Sequence, residues 1–311
     1  MRALQVIGDN QAAVVDTRLS SPPAGWEAVE VEWAAICGTD RKMARRGAHL
    51  GMTLGHEIAG RDTTGRAVAV HPDVGCGSCH WCHRGWSNRC SSKISIGVDV
   101  DGGIAERVLV PPAHIVPVDG IDTRSAPMLE PLACCLHAIA VAEAQNAQSA
   151  VVVGAGAMGI LMMWALQANG TRVTVIQRSE PRRQLALDLG ADEVHESLQS
   201  AEVDAIFVSV PGAEALEDAL TAVRVGGSVH AFAGSPGGAP VDANLLHYRH
   251  LRLVGSTGSG LADFRHAVDL QKSGRVDVGR LPAVEVSIEE SARALLSDPD
   301  PLAMRTLVRI A

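Results

Sequence analysis

The sequence contains 311 residues, a length that predicts about two domains or one large one. Lys and Arg number 27 and Asp and Glu number 35, so the formal net charge is −8. This acidic balance argues against nucleic acid or an anionic membrane as the main partner. Hydrophobic residues make up 47% of the chain and charged residues 20%, proportions that exclude general disorder.

The N-terminal stretch has Asp9 and Asn10 where a signal peptide would need an apolar run. The longest apolar run, 150–166, contains spaced glycines and is short for a membrane span. We therefore expect a cytoplasmic protein without membrane contact. In a reducing compartment, clustered cysteines are expected to bind metal before they form disulfides.

The first part of the chain, residues 1–130, is predicted to form an irregular, strand-rich domain. Short β-like runs are separated there by Gly, Pro and Asp. The runs span residues 28–33, 66–71, 105–110 and 114–118.

From about residue 131 the pattern alternates between strand and helix. This alternation predicts an α/β domain over 131–266, with a parallel sheet covered by helices on both faces. We expect the last segment, 267–311, to return to the first domain with a terminal strand at 304–310. The predicted strands are 149–153, 172–176, 204–210, 228–233 and 251–255, and the helices are 157–169, 180–189 and 213–223.

A four-cysteine cluster lies in the first domain, in the pattern C-x2-C-x2-C-x7-C. Four thiolates this close together fit a closed tetrahedral zinc site, which stabilises the fold and leaves no open position for chemistry. Disulfides and an iron–sulfur cluster are the less favoured alternatives. His80 and His83 are surplus to a tetrahedron, so we expect them at the surface. The predicted ligands are Cys76, Cys79, Cys82 and Cys90.

Two shorter motifs in the same domain supply a mixed set of donors. They are Cys37-Gly-Thr-Asp40 and Gly55-His56-Glu57. A thiolate, an imidazole and a carboxylate from separate segments can form a zinc site with room for water or substrate. Each residue alone is weak evidence, because a single buried cysteine is usually a small apolar core residue.

The strand at 149–153 ends in a glycine-rich turn with the pattern G-x-G-x-x-G. Gly154 allows the tight turn, Gly156 lets the backbone approach a pyrophosphate, and Gly159 lets the following helix pack closely on the strand. The helix N-terminus then faces the negative charge. This strand–turn–helix context predicts a dinucleotide-binding site.

The next strand ends at Gln177, where enzymes that use NAD have an acid for the ribose hydroxyl. Arg178, with Arg182 and Arg183 one turn later, can instead hold a 2′-phosphate through bidentate hydrogen bonds. The residues that follow this strand therefore favour NADP over NAD. Gln177 can also serve NAD as a neutral partner, and a solvated helix face is the alternative for the later arginines.

In their order along the chain, the motifs resemble the zinc-dependent medium-chain dehydrogenases of the alcohol dehydrogenase superfamily, in particular the polyol, sorbitol and threonine dehydrogenase branch. Glu130-Pro131, in MLEPLACCLHA, extends the resemblance over almost the whole chain. The resemblance implies a GroES-like, β-rich catalytic domain followed by a Rossmann domain with a doubly wound parallel sheet. It also implies two zinc ions per chain, one catalytic and one structural.

The resemblance further implies roles in the catalytic domain. Thr39 would receive the proton of the substrate alcohol, and Asp40 would orient the metal-binding imidazole. Lys42 stands where many relatives have a histidine that continues the proton relay. The implied ligands of the catalytic zinc are Cys37, His56 and Glu130, with Glu57 as an alternative or transient ligand near the metal.

Cofactor contacts are implied at Met158 in the glycine turn and at the ends of later strands. Arg305 resembles a late arginine that meets the cofactor pyrophosphate in some relatives, although a surface arginine is the alternative. The expected strand-end contacts are Val210, Gly234 and Ser256.

The expected activity is reversible oxidation of a secondary alcohol to a ketone by NAD(P), in a homodimer or homotetramer. The substrate would be a polyol, sugar, amino alcohol or aminocyclitol, and the basic run 41–46 would either hold an anionic group of it or form a solvated helix face. One alternative is an NADPH-dependent aldehyde or ketone reductase of the cinnamyl-alcohol type, against which Glu130-Pro131 argues. A second is a non-catalytic redox sensor that binds zinc and nucleotide.

Overall fold

The computed structural model describes residues 1–19, 25–199, 202–298 and 300–311. The chain divides into two compact units, here called unit 1 (1–133 with 259–311) and unit 2 (134–258). The sequence-based limits at 130 and 266 differ slightly from these. The first observed limit falls inside a continuous helix, Leu129–Val141, so no loop marks it in the sequence.

The N-terminal part of unit 1 consists mainly of short strands, interrupted by helices α1 (Gly38–Arg45) and α2 (His80–His83). The strands are β1 (Arg2–Gly8), β2 (Gln11–Asp16), β3 (Glu27–Ile36), β4 (Glu57–Arg61), β5 (Ala67–Val70), β6 (Asp73–Val74), β7 (Ile94–Ser95), β8 (Arg107–Val110) and β9 (Ile115–Pro117).

Helix α3 (Leu129–Val141) leads into unit 2, where strands and helices alternate. The elements are β10 (Ser149–Val153), α4 (Ala157–Ala168), β11 (Arg172–Ile176), α5 (Glu180–Asp188), β12 (Glu193–His195), β13 (Ala205–Val208), α6 (Ala213–Ala222), β14 (Ser228–Ala231), α7 (Ala243–Tyr248) and β15 (Arg252–Gly255). The chain then returns to unit 1 with α8 (Leu261–Lys272), β16 (Ala283–Ser287), α9 (Ile288–Leu296) and β17 (Arg305–Arg309).

Unit 1 is organised around a seven-stranded sheet with the order β16-β17-β3-β4-β5-β9, to which β8 is added through β3. Its core is aliphatic and includes Val31, Ile58 and Val308. The C-terminal strand β17 lies antiparallel to β3, with Thr306 paired to Ile36. This register places the start of β17 beside the end of β3, where the candidate metal-binding motifs begin.

Unit 2 contains a six-stranded parallel sheet with the order β12-β11-β10-β13-β14-β15. Counted along unit 2, this is the order 3-2-1-4-5-6 of doubly wound dinucleotide-binding sheets. The strand order reverses between β10 and β13, and the glycine turn follows β10 at that point. The predicted α/β fold with a parallel sheet is confirmed.

Two elements of unit 2 were absent from the predictions. Strand β12 is only three residues long, and α7 follows a segment rich in glycine and proline, so neither carries a strong periodic pattern. The predicted strand 204–210 is shorter in the structure, at Ala205–Val208. None of the helices in the described ranges combines the length and apolar character needed to cross a membrane.

Candidate active site

Three metal-binding donors converge at one end of the unit 1 sheet. Cys37 directly follows β3, and Glu57 begins β4 directly after His56. Because Ala35 pairs with Glu57 in the antiparallel register, the two motifs become neighbours. Cys37 Sγ, an imidazole nitrogen of His56 and a carboxylate oxygen of Glu57 lie within 4.8 Å of one another. His56 and Glu57 are buried and Cys37 is half-buried, and this set of nitrogen, oxygen and sulfur donors fits zinc.

Asp40 braces these donors from the first turn of α1. One carboxylate oxygen accepts a hydrogen bond from Cys37 N at 2.7 Å, and the other accepts one from Gly55 N at 3.2 Å. The second oxygen also lies 3.5 Å from His56 Nδ1. Burial lowers the pKa of His56, but the charges of Asp40 and Cys37 outweigh burial and raise that pKa well above its usual range. The surroundings of the imidazole therefore favour positive charge, as a cation site requires.

The Glu57 carboxylate has a cationic partner that the sequence analysis did not predict. Arg305, at the start of β17, donates a hydrogen bond from Nη2 to Glu57 Oε1 at 2.8 Å. The exposed fractions of the two side chains are 9% and 0%, so this is a buried ion pair. Burial raises the pKa of Glu57, and the charges of Arg305 and His56 act in the opposite direction. A contact between Arg305 and the cofactor pyrophosphate stays a prediction.

The other residues predicted for the catalytic site lie around this cluster. Glu130 is buried in the first turn of α3, outside the set of donors that lie within 4.8 Å of one another in the described chain. Thr39 and Lys42 are exposed on α1, three residues apart. Arg41 donates to the carbonyl oxygens of Leu295 and Ser297 at 2.8 and 2.7 Å. Arg41 thus caps the C-terminus of α9, which favours a structural role over substrate binding for this member of the basic run.

The four cysteines of the second motif also converge. Their sulfur atoms all lie within 4.8 Å of one another, with Cys76–Cys82 at 4.0 Å and Cys79–Cys82 at 3.6 Å. A tetrahedron of zinc–sulfur bonds separates its sulfur atoms by about 3.8 Å, so the spacing fits a structural zinc ion. Hydrogen bonds from Ser78 lower the pKa of the Cys76 thiol to about 6, which favours the thiolate that a metal needs.

His80 and His83 are exposed on α2. They lie outside the four-sulfur set found among the described residues, as expected. The four-cysteine group is therefore complete without an imidazole.

The glycine turn of unit 2 has the geometry that its sequence predicts. Gly154 has a φ of +107°, a left-handed conformation that favours glycine. A Cβ on Gly159 would lie 1.8 Å from Gly154 O, so only glycine fits there without moving the turn. Ser209, which directly follows β13, donates a hydrogen bond from Oγ to Val153 O at 2.7 Å. This bond holds the backbone just before the turn. Ser209 is a supporting residue that the glycine pattern does not reveal.

The arginines after β11 are used in different ways. Arg183 donates from Nη1 to the carbonyl oxygens of Gln177 and Arg178 at 3.0 and 2.6 Å, so it stabilises the turn itself. Arg182 Nη1 lies 3.8 Å from the position that a Cβ on Gly156 would take, and Arg178 is exposed. Gln177 Oε1 accepts a hydrogen bond from Ser179 N at 3.2 Å. Arg183 is therefore bound to the backbone of the segment after β11. Arg182 lies near the glycine turn, and Arg178 lies just after β11.

A cavity of about 460 Å³ opens at the carboxyl ends of the unit 2 strands. The predicted contact residues Val210, Gly234 and Ser256 all line it. His230, buried on β14, lies within hydrogen-bonding distance of Ser256 Oγ through Nε2, at 2.9 Å. Ligands of doubly wound sheets bind outside the carboxyl ends of the strands, so this cavity is the expected place for part of a dinucleotide.

Comparison with known proteins identifies the family. Residues 23–120 match the model of the alcohol dehydrogenase GroES-like domain, and residues 157–273 match that of the zinc-binding dehydrogenases. D-altritol 5-dehydrogenase of Agrobacterium fabrum is 30% identical over 82% of this chain and 84% of that protein. The chain belongs to the zinc-dependent alcohol dehydrogenase family.

Two further relatives of this dehydrogenase span nearly its whole length. The 2-dehydro-3-deoxy-L-galactonate 5-dehydrogenase of Pseudoalteromonas atlantica is 26% identical over 99% of this chain and 98% of that protein. A crystal structure of a zinc-binding dehydrogenase from Sinorhizobium meliloti 1021 bound to NADP superposes with a TM-score of 0.91, at 25% identity and 99% coverage of both chains. The expected family is confirmed, and with it an oxidoreductase that uses zinc and a nicotinamide cofactor.

Proposed function

We propose that this dehydrogenase reversibly oxidises a secondary hydroxyl group of a polyol or sugar acid with NADP as the hydride acceptor. The observation that carries the proposal is the convergence of Cys37, His56 and Glu57 within 4.8 Å at one end of the unit 1 sheet. The relatives named above act, by their names, at position 5 of a hexitol and of a sugar acid. Both substrates are polyhydroxylated chains, and this narrows the wider set of secondary alcohols that the sequence allows.

Cys37, His56 and Glu57 would hold the catalytic zinc. When bound, zinc supplies Lewis acidity, which lowers the pKa of a substrate hydroxyl group. Glu57 is favoured over Glu130 as the carboxylate ligand because its oxygen lies in the cluster. Its bond to Arg305 restricts the carboxylate and offsets part of the cost of burying its charge. The zinc affinities of Glu57→Gln and Glu130→Gln show which glutamate is the ligand. We expect Glu57→Gln to bind zinc more weakly than Glu130→Gln does.

The protein groups around the metal have distinct tasks in this proposal. Asp40 fixes the imidazole of His56 and the backbone of both motifs, because it binds Cys37 N and Gly55 N. Thr39 takes the proton that leaves the substrate hydroxyl and passes it to solvent, since its side chain is exposed. Lys42, exposed on the same side of α1, replaces the histidine that extends the relay in many relatives.

The cofactor would bind along the glycine turn and the strand ends of unit 2. Gly154, Gly156 and Gly159 allow the pyrophosphate to approach the N-terminus of α4, beside Met158. The 2′-phosphate would be held by Arg178 and Arg182. Gln177 Oε1 accepts a hydrogen bond from Ser179 N, and its neutral amide replaces the carboxylate that NAD enzymes offer to the ribose hydroxyl groups.

The four-cysteine group would hold a second, structural zinc ion, which gives two per chain. We also propose a cytoplasmic homodimer or homotetramer, on the family resemblance. Light scattering after size exclusion measures the oligomeric state directly.

The proposed reaction is tested with zinc-loaded protein and a panel of hexitols, hexonates and primary alcohols. Formation of reduced nicotinamide is measured with NADP and with NAD. We expect turnover with polyhydroxylated secondary alcohols, a higher kcat/KM with NADP, and little turnover with ethanol as the control. Absence of hydride transfer with every secondary alcohol would contradict the proposal, whereas a preference for NAD would contradict only the assignment of the arginines.

A further inference from the structure

The segment 53–55, which leads into His56, is held by backbone hydrogen bonds on two sides. Leu54 N donates to Leu4 O at 3.0 Å on the β1 side. On the other side, the segment 102–104 donates three hydrogen bonds to the carbonyl oxygens of 53–55. These are Gly102 N to Thr53 O at 2.8 Å, Gly103 N to Gly55 O at 2.9 Å and Ile104 N to Leu54 O at 2.9 Å.

The contact between these segments is so close that it has no room for side chains. A Cβ on Gly102 would lie 2.2 Å from Gly55 O and 2.8 Å from the carbonyl carbon of Leu54. A Cβ on Gly97 would lie 2.2 Å from Gly55 O and 2.9 Å from His56 N. These distances are all well below the roughly 3.5 Å at which non-bonded atoms pack. The obstructing atoms belong to backbone, which cannot rotate away as a flexible side chain can.

We propose that Gly102 is a positioning residue for the catalytic metal, with Gly97 in support: the missing side chains set the place of the Gly55–His56 peptide. The inference rests on the proposed metal site. A methyl group at 102 displaces the Gly55 carbonyl by about 1 Å, judged from ordinary contact distances. Metal–ligand distances tolerate only about 0.2 Å, so the displaced His56 is misaligned with the other two donors.

The same displacement disturbs the brace beneath the imidazole. Asp40 Oδ1 accepts from Gly55 N at 3.2 Å and lies 3.5 Å from His56 Nδ1. Moving the peptide at 55 therefore shifts both the ligand and the carboxylate that orients it. Gly102 acts through His56 and touches no reacting atom.

Asp101 fastens the other end of the same segment. Its Oδ1 atom accepts a hydrogen bond from Thr53 N at 2.9 Å, while Thr53 itself is buried and Asp101 is exposed. Loss of the carboxylate leaves a buried N–H without this acceptor, and this loosens the segment. An asparagine keeps an acceptor oxygen at the same position.

The test compares the zinc affinity of Gly102→Ala and Gly8→Ala by chelator competition on the zinc-loaded protein. Gly8 is a matched control in β1, because the three atoms nearest to a Cβ there would belong to the side chain of Gln11, at 3.1 Å or more. Neither glycine has a left-handed φ, so alanine strains the backbone at neither position and the two variants differ in the atoms that the new methyl group meets. In Gly102→Ala we expect one zinc to bind about 10- to 100-fold more weakly while the four-cysteine zinc stays tightly bound. Gly8→Ala is expected to match the parent.

A second pair of variants covers the case in which Gly102→Ala does not fold. Asp101→Ala is expected to weaken the same zinc several-fold, and Asp101→Asn to restore it. Parental zinc affinity in Gly102→Ala, or equal affinity in the two Asp101 variants, overturns the inference. The weakened zinc is assigned with Cys37→Ser, which should lack it. A parent protein that binds only the four-cysteine zinc contradicts the proposed metal site itself, and both proposals then fail together.

Discussion

The donor cluster of unit 1 (Cys37, His56 and Glu57) and the glycine turn of unit 2 are built in opposite ways. The turn is contiguous, since Gly154, Gly156 and Gly159 belong to one strand–turn–helix unit. The cluster joins residues distant in sequence, and the partners Glu57 and Arg305 are 248 positions apart. The turn is therefore encoded locally, whereas the cluster depends on the pairing of β3 with β4 and β17.

The two sites nevertheless share one structural device. In each of them a carbonyl oxygen is approached so closely by a glycine that no side chain fits: Gly159 lies against Gly154 O, and Gly102 lies against Gly55 O. In unit 2 the glycine lies five residues from its partner, and in unit 1 it comes from a separate segment. The difference shows why a sequence motif reveals the glycine contact in unit 2 and does not reveal the one in unit 1.

The largest expected effect comes from removing a donor of the cluster. Cys37→Ala should lower kcat/KM by about a thousandfold or more, because a Lewis acid contributes several kcal/mol to the barrier. The dissociation constant for NADP should stay within about twofold, since unit 2 is unchanged; for scale, tenfold corresponds to 1.4 kcal/mol. Steady-state kinetics and fluorescence titration measure the two quantities. Loss of NADP binding in this variant would show that the sites are not independent.

Removing Arg305 should destabilise unit 1 next most strongly. Arg305→Gln leaves the buried Glu57 carboxylate without its cation, at a cost of about 3 kcal/mol in the free energy of unfolding. The pKa of Glu57, already raised by burial, should rise further, so zinc affinity should fall more steeply as the pH is lowered. Urea unfolding and zinc titration at two pH values check this. The double variant Arg305→Gln with Glu57→Gln should recover much of the stability, and no recovery would argue against the pair.

Acid should destabilise unit 1 through His71. This imidazole is buried, lies 3.0 Å from Ser259 O through Nε2, and has its pKa lowered to about 4, mainly by burial. Histidine has a higher pKa in the unfolded chain, so the unfolded chain binds the proton first as the pH is lowered. The free energy of unfolding therefore keeps its full value above about pH 6.5 and falls by up to about 3 kcal/mol towards pH 4. His71→Gln, which does not titrate, should unfold with a flatter pH dependence than the parent. An unchanged slope in urea unfolding would refute the assignment.

Gly159→Ala should disable unit 2 without affecting the cluster. A Cβ at 159 would lie 1.8 Å from Gly154 O, so the turn must open. We expect NADP to bind about 100-fold more weakly, which corresponds to nearly 3 kcal/mol. Metal analysis should give the parental zinc content, in contrast to Gly102→Ala. A matched loss of zinc would remove the distinction between the two sites.

The smallest predicted effect concerns cofactor choice. Arg178→Ala should reduce the ratio of kcat/KM for NADP over NAD by about tenfold, because one charge-assisted hydrogen bond to a phosphate contributes about 1.5 kcal/mol or more. Arg183→Ala is the comparison, since Arg183 binds backbone carbonyls of the turn. It should lower the efficiency with both cofactors and leave the ratio nearly unchanged. Equal effects of the two substitutions would contradict the roles assigned to them.

Much of this could be predicted from the sequence because the signals are local. The motifs around Cys37, His56 and the four cysteines identified the family, and the glycine turn located the parallel sheet. The pairing of Arg305 with Glu57 could not be predicted, because it depends on the register of β17 against β3. The roles of Gly102 and Ser209 were equally hidden, since each acts on a backbone carbonyl that becomes its neighbour only in the folded chain.

Unit 1 is formed from two separate stretches of the chain, and this has a consequence for folding during synthesis. Unit 2 comes from one uninterrupted stretch, 134–258, so it can fold as soon as that stretch has left the ribosome. The unit 1 sheet places β17 between β16 and β3, so it stays incomplete until residues 305–309 have been translated. This late, long-range strand pairing is slow to form. Arg305 therefore joins Glu57 last, and unit 2 can fold before the sheet that positions the proposed metal ligands is complete.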